Sequence, residues 1–237
     1  MKARFTLFAA VLVLAPCLHA QPCPRSGWKA GYWSKLAAQS CREASAKNPI
    51  RVLSPDRRQT LLIDGNDVFL SRANGGAPQK LFAYYPGDEF LWSPDSMTIL
   101  NTYCLGAAGP CRTASTSDME NEPDINEITK AAFLAAHQNH KEHDCYTWAN
   151  IGALTWEPDS DNIVMIAEIP PSPQCVNHDE GYFESFIVSL SQKKVVKQYG
   201  MQETIHLWRK ILGTGLRSDI QLVREDARLQ QKQLVSR

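Results

Sequence analysis

At three places in the sequence a Pro-Asp pair stands between two apolar, strand-like segments: Ser54-Pro55-Asp56, Ser93-Pro94-Asp95 and Glu157-Pro158-Asp159. Proline suits the second position of a type I turn because its φ angle is already fixed near the required value. The flanking segments are rich in Ile, Val, Leu, Trp and Tyr, which favour strands. Each repeat therefore predicts an antiparallel hairpin.

The spacing of the first two turns predicts a four-stranded unit. Between Ser54 and Ser93 lie two further strand candidates, DVFLSR and QKLFAYY, which the loop ANGGAP separates. Four strands in about 40 residues is the size of one propeller blade. The interval from Ser93 to Glu157 is longer, so this unit is expected to carry an insertion.

The stretch LSPDRRQTLLIDGNDVFLSRANGGAPQKLFAYYPGDEFLWSPDSMTIL resembles the repeats of TolB-type, WD-like β-propellers. In that family a Ser-Pro-Asp turn precedes a strand, and the next Trp-Ser-Pro-Asp closes the period. The resemblance extends over residues 50–104 and in part over 152–199, and it implies about three blade-like units. LWSPDS, TWEPDSDNIVMIAEIPPSPQC and GYFESFIVSLSQKKVVKQY also resemble segments of uncharacterised exported bacterial proteins, which implies no mechanism.

The predicted fold is mainly β with helical additions: antiparallel, blade-like sheets that form an incomplete propeller. PDINEITKAAFLAAHQNHKEHD is predicted to be an inserted helix capped by Asp124, and MQETIHLWRKIL a C-terminal helix. GYWSKLAAQSCREASAKNP, near the N-terminus, also fits a helix. The expected organisation is an N-terminal segment at 21–49, one β domain at 50–217 with an insertion at 105–143, and a helix or tail at 218–237.

The first 20 residues have the pattern of a secretory signal peptide. Lys2 and Arg4 provide a positive start, residues 5–15 are apolar but too short to span a bilayer, and a cleavage site ends at Ala20. Lipidation at Cys17 and an uncleaved N-terminal anchor are the alternatives. No later segment approaches 18 consecutive apolar residues, so the mature chain is expected to lack a transmembrane segment and to be periplasmic or secreted.

Cleavage after Ala20 would leave an even number of cysteines, which in an exported chain indicates disulfides. Six cysteines allow 15 pairings, so the predicted pairing uses the hairpins. Two cysteines bracket the short loop LGAAGP, two flank the hairpin whose tip is Pro158-Asp159, and two remain near the N-terminus. The predicted pairs are Cys23–Cys41, Cys104–Cys111 and Cys145–Cys175.

HQNHKEHDC is the strongest candidate for a metal site, because His137, His140 and His143 recur every three residues. Imidazoles on one helical face can bind zinc or copper. Steps of three residues, however, drift around a helix, so His137 and His143 diverge by about 120°. A solvated helix end is the structural alternative, and we predict no resident metal or cofactor.

Catalytic motifs are absent from the sequence: it contains no Gly-x-Ser-x-Gly elbow, P-loop or His-Glu-x-x-His. VNHDEGYFES groups His178, Asp179, Glu180 and Glu184, which are residue types capable of acid–base work. They precede a predicted strand, and polar residues in that position more often form a turn than a catalytic site. The aromatic residues Trp28, Tyr32 and Trp33 fit either a core or an exposed patch, and Trp92, Trp156 and Trp208 fit the core.

The formal net charge is zero, with 25 basic and 25 acidic residues, which argues against a nucleic-acid partner. We therefore expect an exported, non-enzymatic binding module of the cell envelope, whose partner is another envelope protein or a glycan. The alternative is a metal-dependent or acid–base hydrolase that uses His137, His140 and His178 with nearby carboxylates. The sequence does not predict an oligomeric state.

Overall fold

The computed structural model describes residues 28–40, 49–104, 110–116, 124–138, 146–169, 181–218 and 220. The regular structure in these residues is mainly β-strand, as predicted. The strands are β1 Trp28–Ala30, β2 Ala38–Ser40, β3 Ile50–Leu53, β4 Gln59–Asp64, β5 Asp67–Arg72, β6 Gln79–Ala83, β7 Glu89–Trp92, β8 Ile99–Tyr103, β9 Arg112–Ser115, β10 Asn150–Trp156, β11 Asn162–Ile169, β12 Tyr182–Ser189 and β13 Lys194–Tyr199. Two longer helices are α1, Ile125–His137, and α2, Met201–Trp208, and residues 214–218 and 220 are also helical.

The strands form three antiparallel sheets. The N-proximal sheet has the order β3-β4-β5-β6, and the C-proximal sheet has the order β10-β11-β12-β13. The middle sheet has the order β1-β2-β7-β8-β9, so the N-terminal hairpin joins strands that lie about 50 residues further along the chain. All the hairpins predicted around the Pro-Asp turns are present, as β3–β4, β7–β8 and β10–β11.

The Pro-Asp turns share one local structure. In the first turn, Ser54 Oγ donates to Asp56 Oδ1 at 2.6 Å and accepts the N–H of Gln59 at 3.0 Å. The residue after each Asp has a positive φ angle, and the values for Arg57, Ser96 and Ser160 are 61°, 65° and 59°. A type I turn followed by such a residue is a common hairpin connection, so the repeated sequence is explained by turn geometry.

Hydrogen bonds link the three turns in series. The backbone N–H of Asp56 donates to Ser96 Oγ at 3.1 Å, and that of Asp95 donates to Ser160 Oγ at 3.1 Å. Gln59 Nε2 also donates to the carbonyl oxygen of Ser96 at 2.8 Å. The turn ends of the three sheets therefore lie side by side.

The propeller implied by the sequence resemblance is corrected by the arrangement of the sheets. The described residues form three separate sheets and no closed ring. The middle sheet is not a four-stranded repeat, because β1 and β2 are added to it. In a ring, another blade would cover the outer face of the C-proximal sheet, but here that face packs against Trp33, α2 and Leu212 and Leu216 near the C-terminus.

Three apolar clusters hold these layers together. One lies between the N-proximal and middle sheets and includes Ile63, Val68 and Phe90. A second joins the middle sheet, the C-proximal sheet and α1, from which it takes Ile125 and Phe133. The third covers the opposite face of the C-proximal sheet. All residues of β11 but the first are buried, and burial on both faces explains the continuous apolar run at residues 163–167.

The two predicted helices are present, whereas the prediction of a helix in the N-terminal segment is wrong for its described part. Asp124 caps α1 by accepting the N–H of Asn126 at 2.9 Å. Residues 38–40 instead form β2, which pairs with β1 and β7. Tertiary pairing overrides a weak local helix preference here. No helix in the described part of the chain is long and apolar enough to cross a bilayer.

One of the predicted disulfides, Cys104–Cys111, is confirmed, and it closes the connection between β8 and β9. The backbone of Cys111 contacts β10 directly: its N–H donates to Asn150 Oδ1 at 2.8 Å, and its carbonyl accepts the N–H of Ile151 at 2.9 Å. The disulfide therefore sits where the middle and C-proximal sheets meet. The cysteines of the other two predicted pairs lie outside the described residues, as do residues 1–20 with the predicted signal peptide.

Candidate functional site

An open apolar groove of about 380 Å³ lies where the three sheets approach one another. One wall comes from β3 and the turn that follows it, another from β2 and β7, and the third from the end of β10. The lining residues are Leu36, Ala38, Val52, Leu53, Pro55, Phe90, Leu91, Trp92, Pro94, Thr155 and Trp156. Binding sites for ligands are typically concave and mainly apolar with few polar groups, and this groove has that composition.

The sequence repeat explains how these residues come together. Pro55 and Pro94 belong to the first two Pro-Asp turns, which the serial hydrogen bonds hold side by side. Leu36 and Leu53 lie at the mouth of the groove, with 57% and 56% of their surface exposed. Large apolar side chains this exposed, and lining one groove, are typical of interaction sites.

Two polar features border the groove. The indole Nε1 of Trp92 is buried and finds no hydrogen-bond acceptor among the described residues. In contrast, Trp156 Nε1 donates to the carbonyl oxygen of Leu91 at 3.4 Å. A buried donor without an acceptor costs about 1–3 kcal/mol, but this nitrogen is not exposed to the groove, so a ligand could not bond to it without a shift of the Trp92 side chain.

Strand β3 provides the second polar feature, because it lies at the edge of its sheet with β4 on one side only. Ser54 N–H donates to the carbonyl oxygen of Gln59 at 2.9 Å, which fixes the hydrogen-bonding register. In an antiparallel pair the alternate residues direct their backbone groups away from the partner strand. The N–H and C=O groups of Arg51 and Leu53 therefore point away from β4.

A buried polar cluster lies elsewhere, at the C-terminal end of α1. His137 Nε2 is 3.4 Å from Glu184 Oε1 on β12, and the two residues expose 7% and 5% of their surface. Glu184 also accepts from Tyr182 OH, and it accepts from Gln198 Nε2 at 2.8 Å. The ring of Tyr146 stacks on His137, with centroids 4.3 Å apart.

This cluster joins one residue from each of the two polar motifs found in the sequence. His137 comes from HQNHKEHDC and Glu184 from VNHDEGYFES, whereas sequence reasoning did not select Tyr146, Tyr182 or Gln198. Burial and the nearby Glu184 carboxylate raise the pKa of Tyr182 above its usual value, so this phenol stays protonated. Both members of the His–Glu pair are buried, so a substrate could not reach them in this arrangement.

The other predicted metal and acid–base residues lie outside the described residues: His140, His143, His178, Asp179 and Glu180. Within the described ranges, no group of three or more His, Cys, Asp or Glu side chains is placed to bind a metal ion. Of the three histidines predicted as metal ligands, His137 is the one within the described residues, and it lies beside the Glu184 carboxylate.

Two buried glutamates form a further cluster that sequence reasoning missed. Glu89 accepts the backbone N–H of Tyr32, and also that of Trp33 at 3.2 Å and that of Ser34 at 3.5 Å. Tyr32 OH in turn donates to Glu168 Oε1 at 2.8 Å. These carboxylates anchor the N-terminal hairpin to the middle and C-proximal sheets. Trp33 is 1% exposed, which confirms a core position for this member of the N-terminal aromatic group.

A comparison of the chain with models of known protein families and with curated proteins finds no match. The identification with TolB-type propeller repeats is therefore wrong. The similarity of LSPD and WSPD to that family reflects a shared turn geometry, which any antiparallel hairpin of this kind can use.

Proposed function

We propose that this protein is an exported, non-enzymatic binding module of the cell envelope, which takes an extended apolar segment of another envelope protein into the groove between its sheets. The observation that carries the proposal is the groove itself, with Leu36 and Leu53 exposed at its mouth. The predicted signal peptide and the Cys104–Cys111 disulfide support an oxidising compartment outside the cytoplasm.

An extended protein segment suits the groove better than a glycan. An extended segment can add to the free edge of β3, where it would satisfy the backbone groups of Arg51 and Leu53. Its alternate side chains would then meet the apolar walls. A sugar presents many hydroxyl groups, and the mainly apolar walls of the groove would leave most of them without hydrogen-bond partners.

Photo-crosslinking in the native cells tests this proposal. With a photoreactive amino acid at Leu36, we expect one reproducible adduct with an envelope protein, and we expect Leu53→Asp in the same chain to reduce it at least about tenfold. The reason is that a carboxylate at the mouth would have to be desolvated against the apolar segment. Leu53 is exposed, so its replacement should leave the unfolding transition almost unchanged.

Leu207 provides the matched control, because it is 48% exposed but lies on α2, away from the groove. A photoreactive residue at Leu207 should give no adduct with the same protein, and Leu207→Asp should leave the adduct formed from Leu36 intact. Equal adducts from both positions, or no adduct from Leu36, would contradict a binding role for the groove.

The second candidate is a hydrolase that uses His137 together with His140, His178 and nearby carboxylates. The observation that favours it is the contact between His137 and Glu184, since a carboxylate beside an imidazole orients it for acid–base work. Because both side chains are buried, a substrate would reach them only after local opening of the fold. We expect protein purified without chelators to contain far less than stoichiometric zinc or copper, as measured by elemental analysis. Stoichiometric metal that is lost in His140→Ala would favour the hydrolase over the binding module.

A further inference from the structure

A buried acid–amide pair lies between the N-proximal and middle sheets. Asn101 on β8 is directly opposite Phe90 on β7, and Asp88 immediately precedes that strand. Side chains two residues apart on a strand share a face, so Asp88 lies on the same face as Phe90 and diagonally opposite Asn101. Asp88 exposes 1% of its surface and Asn101 exposes 2%.

Two oxygen atoms of this pair lack a hydrogen-bond donor among the residues that the structure describes, and a proton on Asp88 would supply one. Asp88 Oδ2 accepts the N–H of Tyr85 at 3.1 Å, and it is 3.5 Å from Asn101 Nδ2, a weak contact. Within the described residues, neither Asp88 Oδ1 nor Asn101 Oδ1 has a hydrogen-bond donor. Both of these orphan atoms are acceptors if Asp88 is ionised, whereas a protonated carboxyl is a donor as well.

We propose that Asp88 and Asn101 form a proton-dependent pair that stabilises the contact between the N-proximal and middle sheets. In the protonated form, Asp88 Oδ1–H donates to Asn101 Oδ1, while Asn101 Nδ2–H donates back to Asp88 Oδ2. Both orphan oxygens are then satisfied by one proton. Loss of the proton leaves a desolvated carboxylate against the apolar cluster that contains Phe90. This inference is independent of the proposed binding function.

Burial raises the pKa of Asp88 to about 7, against opposing contributions from the Tyr85 N–H and from Asn101. No charged side chain is among these causes. The side chain of Glu89 lies on the opposite face of β7. The other titratable or charged side chains on the surrounding strands and loop are Tyr84, Tyr85, Tyr103, Arg112 on β9, and Arg51, Asp64, Arg72 and the Asp67–Lys80 ion pair of the N-proximal sheet. The shift therefore arises from desolvation within the sheet contact.

The direction of the pH effect follows from the raised pKa of Asp88. Between about pH 4 and pH 7, the folded chain holds a proton that the unfolded chain has lost, so stability falls as the pH rises. Below pH 4 Asp88 is protonated in both the folded and the unfolded chain, and above pH 8 it is ionised in both. Its contribution to the free energy of unfolding therefore does not change with pH at either extreme. The contact between the sheets should therefore be firmer in mildly acidic solution than in alkaline solution.

Replacing Asp88 by asparagine tests the proposal, because asparagine is nearly isosteric and its amide can donate to Asn101 Oδ1 at every pH. We expect Asp88→Asn to raise the equilibrium ratio of folded to unfolded protein at pH 8 about a hundredfold relative to the natural chain. The two chains should differ much less at pH 4. Denaturant unfolding of the full chain at intervals between pH 4 and pH 8 measures this difference.

Asp124→Asn is the matched control, because asparagine caps a helix about as well as aspartate, so the stability of this variant at pH 8 should be close to that of the natural chain. Carbon NMR of the natural chain gives an independent measurement, in which the Asp88 carboxyl should titrate near pH 7. A buried water that donates to both oxygens would leave Asp88 ionised. Titration of Asp88 near pH 4, or parallel profiles for Asp88→Asn and the natural chain, would overturn the proposal.

Discussion

Replacing Glu89 by alanine should lower the free energy of unfolding by about 4 kcal/mol or more. The Glu89 carboxylate is 3% exposed and accepts the backbone N–H groups of Tyr32, Trp33 and Ser34. Alanine would leave these donors without their acceptor, at about 1–3 kcal/mol for each buried group, and would also leave a cavity. Denaturant unfolding measures the loss, and hydrogen exchange should locate it at residues 28–40.

Glu89→Gln provides the conservative comparison. Glutamine retains one carbonyl oxygen in the same place, so it can still accept part of this set of N–H groups, and we expect it to lose about half as much stability as alanine. Faster hydrogen exchange in the N-terminal hairpin should accompany both variants, to a smaller extent for glutamine. Wild-type stability in Glu89→Ala would show that the N-terminal hairpin is not anchored by this carboxylate.

The second large effect is expected from Gly152→Ala in β10. A Cβ atom at this position would lie 2.1 Å from Cδ2 of the Trp33 ring, and Trp33 is 1% exposed. The indole cannot swing into solvent without opening the cluster on that face of the C-proximal sheet. Overpacking of a well-filled core commonly costs about 1–3 kcal/mol, and a contact this close should cost about 3 kcal/mol or more.

Gly76→Ala is the matched control for this substitution. Gly76 is exposed in the β5–β6 loop, and a Cβ atom there would meet only Asn74 Oδ1, at 4.0 Å. Its stability should therefore change by less than about 0.5 kcal/mol. Thermal unfolding, followed by circular dichroism, compares the two variants directly. Similar melting temperatures for both would contradict tight packing of Trp33 against β10.

The strands that follow a Pro-Asp turn could be predicted because the relevant signals are local. Each hairpin has its own turn residues and its own apolar flanks, so the strands of residues 50–103 were recognised almost to the residue. The hairpin β1–β2 could not be recognised in this way. Its backbone is held by Glu89, 55 residues away from Ser34, and no short window of sequence contains both partners.

The candidate sites were predictable only in part, for the same reason. His137 and Glu184 were each selected from the sequence, but their contact depends on how α1 packs against β12. The groove draws its walls from all three sheets, so no single motif encodes it. Its one sequence signal is the pair of prolines, Pro55 and Pro94, that occupy equivalent turn positions. The burial of Asp88 could not be predicted, because the residue just before a strand is commonly polar and exposed.

The series of hydrogen-bonded turns has a direction, which bears on why the three sheets of the described residues do not form a ring. Each link joins the amide of an Asp in one turn to the hydroxyl of the residue after Asp in the next turn, namely Ser96 and then Ser160. At the equivalent place in the first turn stands Arg57, which carries no hydroxyl. The amide of Asp159 could not return to the first turn by the same bond, so this device can lengthen a row of sheets but cannot close it into a circle.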